Sequence, residues 1–151
     1  MNKLFWQAIF AFLALPGVIA FIIPGLVLRP ASDAALHWLG VIPLAIGTVL
    51  LLWCVRDFYV AGRGTLAPWT PPKRLVAVGL YRFSRNPMYI AVITILIGWA
   101  VMFQTMALVI YTVAVTIAFH LRVVFAEEPF LARTHAKEWE EYRSRVARWL
   151  G

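Results

Sequence analysis

Two adjacent acids, Glu127 and Glu128, follow a long apolar run, and an Arg-Asn-Pro-x-Tyr group, Arg85 to Tyr89, precedes the same run. Neighbouring carboxylates repel each other and lose hydration in apolar surroundings, so they invite a cationic partner. A helix starting at Asn86-Pro87 beside Arg82 and Arg85 offers free N–H groups and positive charge, which suits an anion. Each feature also has a plainer reading. Asn86 is a favoured N-cap and Pro87 suits the first helical position. Glu127 and Glu128 with Arg122 can be a solvated helix end, the arginine snorkelling. If the apolar run folds back on itself, both features reach one membrane rim. A small zwitterion, with a carboxylate and a cationic centre, would then suit both. His120 lies seven residues before Glu127 and shares its face on a continuous helix.

The elements that must position these residues are membrane elements. The chain has 151 residues, 62% hydrophobic and 14% charged. A soluble domain of this size cannot hide so much apolar surface. The net charge of +7 falls in two blocks, one between apolar runs and one at the C-terminus, as in cytoplasmic loops rather than a nucleic-acid-binding face. The lone cysteine, Cys54, sits in an apolar run and reads as a small buried hydrophobe.

The expected fold is an all-α integral membrane protein of about four transmembrane helices in one domain, 1–151. Spans are expected at about 4–28, 36–55, 88–103 and 106–121, with a cytoplasmic loop over 56–87 and a cytoplasmic tail over 122–151. The first run is too long for the apolar core of a signal peptide. Its Pro16-Gly17 and Pro24-Gly25 pairs predict kinks or a broken end, and Pro43 and Gly47 predict a kink in the second span. Residues 56–88, rich in Gly, Pro and Arg, read as an ordered loop of turns. Residues 89–121 carry no formal charge and would make a helix about 50 Å long, too long for one crossing, so a hairpin turning near Phe103-Gln104-Thr105 is expected. In the tail, Trp139, Tyr142, Val146 and Trp149 recur at helical spacing, giving an amphipathic helix that lies on the membrane or covers the bundle. Of fourteen basic residues, all but Arg29 fall on one side. The positive-inside rule then puts both termini and the site in the cytoplasm, with a bacterial inner membrane as the expected location.

"GTLAPWTPPKRLVAVGLYRFSRNPMY" and, further on, "EEPFLARTHAKEWEEYRSRVARWL" resemble the isoprenylcysteine carboxyl methyltransferase and phospholipid methyltransferase superfamily. The resemblance covers residues 62 to 150. Its hallmarks are Arg-His-Pro-x-Tyr, a hydrophobic hairpin and Glu-Glu. It implies a membrane-embedded methyltransferase using S-adenosylmethionine without a Rossmann domain. It also implies a cofactor pocket of Arg85, Asn86, Pro87, Tyr89, Glu127 and Glu128, with His120 and Arg122 near the reaction centre and Tyr142 in the capping tail. Asn86 stands where some relatives have histidine, Thr134-His135-Ala136 replaces a turn ending in glycine, and Trp139 replaces a tyrosine.

Methyl transfer from a sulfonium needs alignment more than a nucleophilic side chain. None is evident: Cys54, Ser32, Ser84 and Ser144 lack a local partner, and His37, His120 and His135 lack metal-ligand spacing. Arg122 and Glu128 are the candidate catalytic residues. A carboxylate acceptor would want Arg122 to place it; an ammonium acceptor would need a glutamate or His120 as base. The expected partner is a lipid or hydrophobic small molecule, with neither metal nor nucleic acid. Two other readings stay open: a steroid-reductase-like enzyme using NADPH, and a non-catalytic membrane scaffold.

Overall fold

The computed structural model describes residues 13–27, 37–61 and 75–150. Every regular element among them is helical. The chain enters as α1, wide π-type turns over Leu13–Ile22 followed by regular α-helix over Ile23–Val27. A 3-10 turn, Trp38–Gly40, opens α2, Val41–Val60. Then come a 3-10 turn at Gly79–Arg82, α3 at Pro87–Phe103 and α4 at Met106–Arg122. A π segment, Val123–Glu127, joins α4 to α5, Glu128–Arg145.

The expected hairpin is present. Gln104 takes the left-handed conformation (φ 49°) and its N–H donates to the Ala100 carbonyl at 2.8 Å, closing α3 before α4 begins. The second expected span ends later than position 55. The helix carries on to Val60, so Arg56 and Asp57 are helical rather than part of a loop. Pro43 causes no break. It falls in the first turn of α2, where its missing N–H costs no helical bond. Most of the expected loop, residues 62–74, and the beginning of the first run lie outside the described residues.

Helix α3 is the central element. Its buried residues, among them Tyr89, Val92, Ile95 and Leu96, form one core with Ala20, Leu51, Phe119 and Val123. Against α2 the approach is backbone to backbone. A Cβ on Gly98 would stand 2.6 Å from the Leu44 nitrogen, and one on Gly47 would stand 2.7 Å from the Ala91 carbonyl oxygen. Gly47 thus serves contact within the chain. The His37 N–H donates to the Met102 carbonyl at 2.8 Å and ties the antiparallel ends together.

Helix α1 shows how prolines are accommodated. Pro24 has no N–H, so it cannot serve the Ala20 carbonyl in α register or the Ile19 carbonyl in π register. Neighbouring helices serve both. Trp99 Nε1 of α3 donates to the Ala20 oxygen at 2.9 Å, and the Tyr111 hydroxyl of α4 donates to the Ile19 oxygen at 3.0 Å. The distortion expected at the Pro-Gly pairs is therefore real, and it docks α1 on the hairpin.

The outward faces are apolar. Ile42, Ile46, Val49 and Leu52 on α2, and Val109, Ile110, Val113 and Ile117 on α4, are exposed. Two helical stretches, Trp38–Phe58 and Met106–Arg145, are long and apolar enough to cross a membrane; Pro16–Val27 and Pro87–Phe103 are apolar but shorter. Such a surface belongs in hydrocarbon.

Trp99→Phe should lower stability by about 1–2 kcal/mol, the cost of an unserved buried carbonyl. Pro24→Ala in that background should recover part of the loss, because the new N–H can reach the Ala20 oxygen. Thermal melting of the four proteins of this cycle in one detergent is the check; additive effects would remove the proposed link.

Candidate active site

The site forms where three segments meet: the start of α3, the junction of α4 with α5, and residues 146–150. Successive helical residues point about 100° apart, so Glu127 and Glu128 diverge and take different partners. Glu127 turns toward α3. Its Oε1 accepts a hydrogen bond from the Tyr89 hydroxyl and another from Arg122 Nε at 2.8 Å. The same Nε is 3.1 Å from the Tyr89 oxygen, so the three side chains close a triangle.

Glu128 turns toward the chain before α3. Arg85 Nη1 lies 3.1 Å from its Oε1, and Arg148 grips both oxygens, Nε at 2.9 Å and Nη2 at 2.8 Å. This fork-on-carboxylate geometry is the strong form of a charged hydrogen bond, and it raises the Arg148 pKa above its usual value. Arg85 and Glu128 are only 12% and 17% exposed, which makes their pairing costly to break. The Arg85 guanidinium also lies 5.3 Å from the ring centre of Trp139, a cation–π contact. Its Nε is buried and has no hydrogen-bond partner among the described residues.

Pro87 begins α3 as expected, but Asn86 does not cap it. The Asn86 side chain makes no cap bond. Its Nδ2 donates to the Arg148 carbonyl at 2.9 Å, while its own N–H donates to Ser84 Oγ at 3.1 Å. The amide is thus committed to the C-terminal segment rather than to the helix.

Tyr142 is buried in α5 and stands behind the charges. Its hydroxyl donates to the Tyr81 carbonyl at 2.7 Å, fastening α5 to the Gly79–Arg82 turn. The expected tail helix is therefore a cover on the bundle. It breaks at His135 and Ala136, whose backbones leave helical geometry. That is where the resemblance placed a turn ending in glycine. The expected aromatic face is only half helical. Trp139 and Tyr142 are buried in α5, whereas Val146 is already extended (φ −119°) and Trp149 follows the helix.

Among the described residues, His120 makes no hydrogen bond or ion pair with either carboxylate. The π turns of Val123–Glu127 take more residues per turn than α turns, so Glu127 rotates off the face that His120 would share on an uninterrupted α-helix. The His120 ring instead stacks on Trp149, centres 6.1 Å apart and planes 25° apart. Among the described residues, no three His, Cys, Asp or Glu side chains come together as metal ligands.

Arg148, Ser84 and Trp149 belong to this site and were not candidates from sequence. Nothing local marks Arg148, whose partner lies twenty residues earlier. Only the periodic aromatic pattern pointed toward Trp139 and Trp149.

The family profile described as phospholipid methyltransferase matches residues 35–138. The chain belongs to the phospholipid methyltransferase family. The matched stretch takes in both Arg85–Tyr89 and Glu127-Glu128, the two groups that meet in the fold. No match was found among curated proteins or solved structures. Membership in this family makes the chain a methyltransferase, and two of its helices are long and apolar enough to cross a membrane.

Arg85→Ala should destabilise the protein by about 3 kcal/mol, because it strips a buried carboxylate of one partner. Arg122→Ala should cost under about 1 kcal/mol, since its side chain is 52% exposed. Comparing the two melting temperatures in one detergent tests the order; the reverse order would contradict the burial argument.

Proposed function

We propose that the protein transfers a methyl group from S-adenosylmethionine to a lipidic or hydrophobic acceptor at the cytoplasmic rim of the membrane. The observation that carries this reading is the convergence of the two motifs: the start of α3 and the Glu127-Glu128 pair share one cluster of opposite charges. In this reading four spans cross the membrane, both termini are cytoplasmic, and the active site faces the cytoplasm. The side with nearly all the Lys and Arg supports that orientation.

The residues present fit a ligand with both signs of charge. Arg85, whose buried Nε has no hydrogen-bond partner among the described residues, suits a carboxylate. Glu127 and Glu128 suit a cationic centre. Asn86, Pro87, Tyr89, His120 and Tyr142 complete the residues proposed to hold the cofactor. When bound, the cofactor supplies an electrophilic methyl group on a sulfonium.

The protein's own part is positioning and exclusion of water. Glu128 and Arg122 are the proposed catalytic residues. Arg122 uses Nε for Glu127 and Tyr89, so its terminal nitrogens are left to orient an anionic head group arriving from the bilayer. With an amine acceptor, Glu128 would take up the proton instead. The Tyr89 ring packs on Phe119, centres 4.3 Å apart, and keeps the membrane side of the site dry.

Calorimetric titration with S-adenosylhomocysteine tests the reading. Micromolar binding is expected in wild type. A loss of about tenfold or more is expected in Glu128→Gln, which keeps the shape and removes the charge. Binding of NADPH alone would favour a reductase. Binding of neither by folded protein in lipid would leave a scaffold.

A further inference from the structure

Residues 146–150 lie over the charged cluster although they have no regular structure. They are held at several points. The Arg85 N–H donates to the Ala147 carbonyl at 2.9 Å. The Arg148 carbonyl accepts from Asn86 Nδ2 at 2.9 Å and from Ser84 Oγ at 3.4 Å. The Arg148 guanidinium grips Glu128, and Trp149 stacks on His120 while packing against the core. One short segment therefore takes up the Asn86 amide, the Arg85 N–H and the Glu128 carboxylate together.

We infer that residues 146–150 are a self-occluding strap, in which Arg148 stands in on Glu128 for the cationic part of the ligand and must leave when the ligand binds. This inference rests on the proposed role of Glu128 as a ligand carboxylate. The chemistry of the exchange is balanced: one cation replaces another on the same carboxylate, so Glu128 is never left buried beside no positive charge. Release is also affordable on structural grounds. Arg148 is 37% exposed, so water can take over its guanidinium, and among the described residues the main-chain groups of the strap beyond Val146 are held by residues 84–86. Only the fraction of molecules with the strap lifted binds ligand, so apparent affinity falls in proportion to strap closure.

The test uses the full chain in lipid nanodiscs, with a spin label at Leu150→Cys. Leu150 is 82% exposed, and the other cysteine, Cys54, is buried. The label should be less mobile in the parent than in Arg148→Ala without any ligand, and should gain mobility in the parent when S-adenosylhomocysteine is added. Affinity for S-adenosylhomocysteine should tighten about threefold to tenfold in Arg148→Ala, with Arg148→Lys between, as expected for removal of a partly exposed ion pair. A label no more mobile in Arg148→Ala than in the parent would overturn the strap whatever the ligand does. Weaker or unchanged affinity would overturn the stand-in role, weaker binding making Arg148 a contributor to the site. A label freed by Arg148→Ala with no ligand binding to either protein would overturn the cofactor reading and the exchange with it, leaving a structural clasp.

Discussion

Two carboxylates side by side at the edge of an apolar bundle each need a cation of their own. That requirement organises this protein. Glu127 and Glu128 cannot share one partner because the helix points them apart, and neither is left uncompensated in a region with little water. Glu127 takes Arg122 and Tyr89; Glu128 takes Arg85 and Arg148. Meeting these demands draws the beginning of α3, the end of α4 and the last residues of the chain to one place. The result is three guanidiniums around two carboxylates, held so that exchange of a partner is possible without exposing bare charge.

The apolar part of the fold holds that cluster in place. Helix α3 is clasped by α2 through glycines and supports α1 through Trp99, while α4 returns the chain to the side where α3 began. The backbone polar groups that proline frees in α1 are served by side chains of the hairpin. Proline in this first element is therefore a docking device as well as a distortion. The same economy appears at the site, where main-chain carbonyls of residues 147 and 148 receive the donors of Ser84, Arg85 and Asn86.

Family membership gives the protein a chemistry, methyl transfer, and the geometry suggests how a membrane rim can host it. The proposed ligand pocket lies among the side chains of Arg85, Glu127, Glu128 and Arg148. It is a cluster of ion pairs in which an internal cation stands where an external one is proposed to bind. In the proposed orientation Arg122, half in solvent beside exposed Leu121 and Phe125, would stand at the level of lipid head groups. Cofactor from the aqueous side and acceptor from the bilayer would then meet without crossing paths.

Much of this was legible in the chain. Hydropathy alone marks the apolar runs and the need for a hairpin, since a charge-free stretch of that length cannot cross once. Local residue type marks Pro87 as a helix start and Gln104 as part of the turn. The two motifs could be placed at one rim because charge and hydrophobicity are properties of each segment by itself. What the sequence could not express is which arginine serves which glutamate. The π turns between Arg122 and Glu128 interrupt the α register that would have put His120 and Glu127 on one face, and the turn after Arg145 carries Arg148 back onto Glu128. Asn86 looked like a cap because its neighbours suit one, yet its amide is claimed by a carbonyl sixty-two positions away. Sequence by itself determined the solvent, the helices and the chemical character of the rim. Tertiary structure alone decided the pairing, because ion pairs and hydrogen bonds depend on distances that arise only when separate segments are packed together.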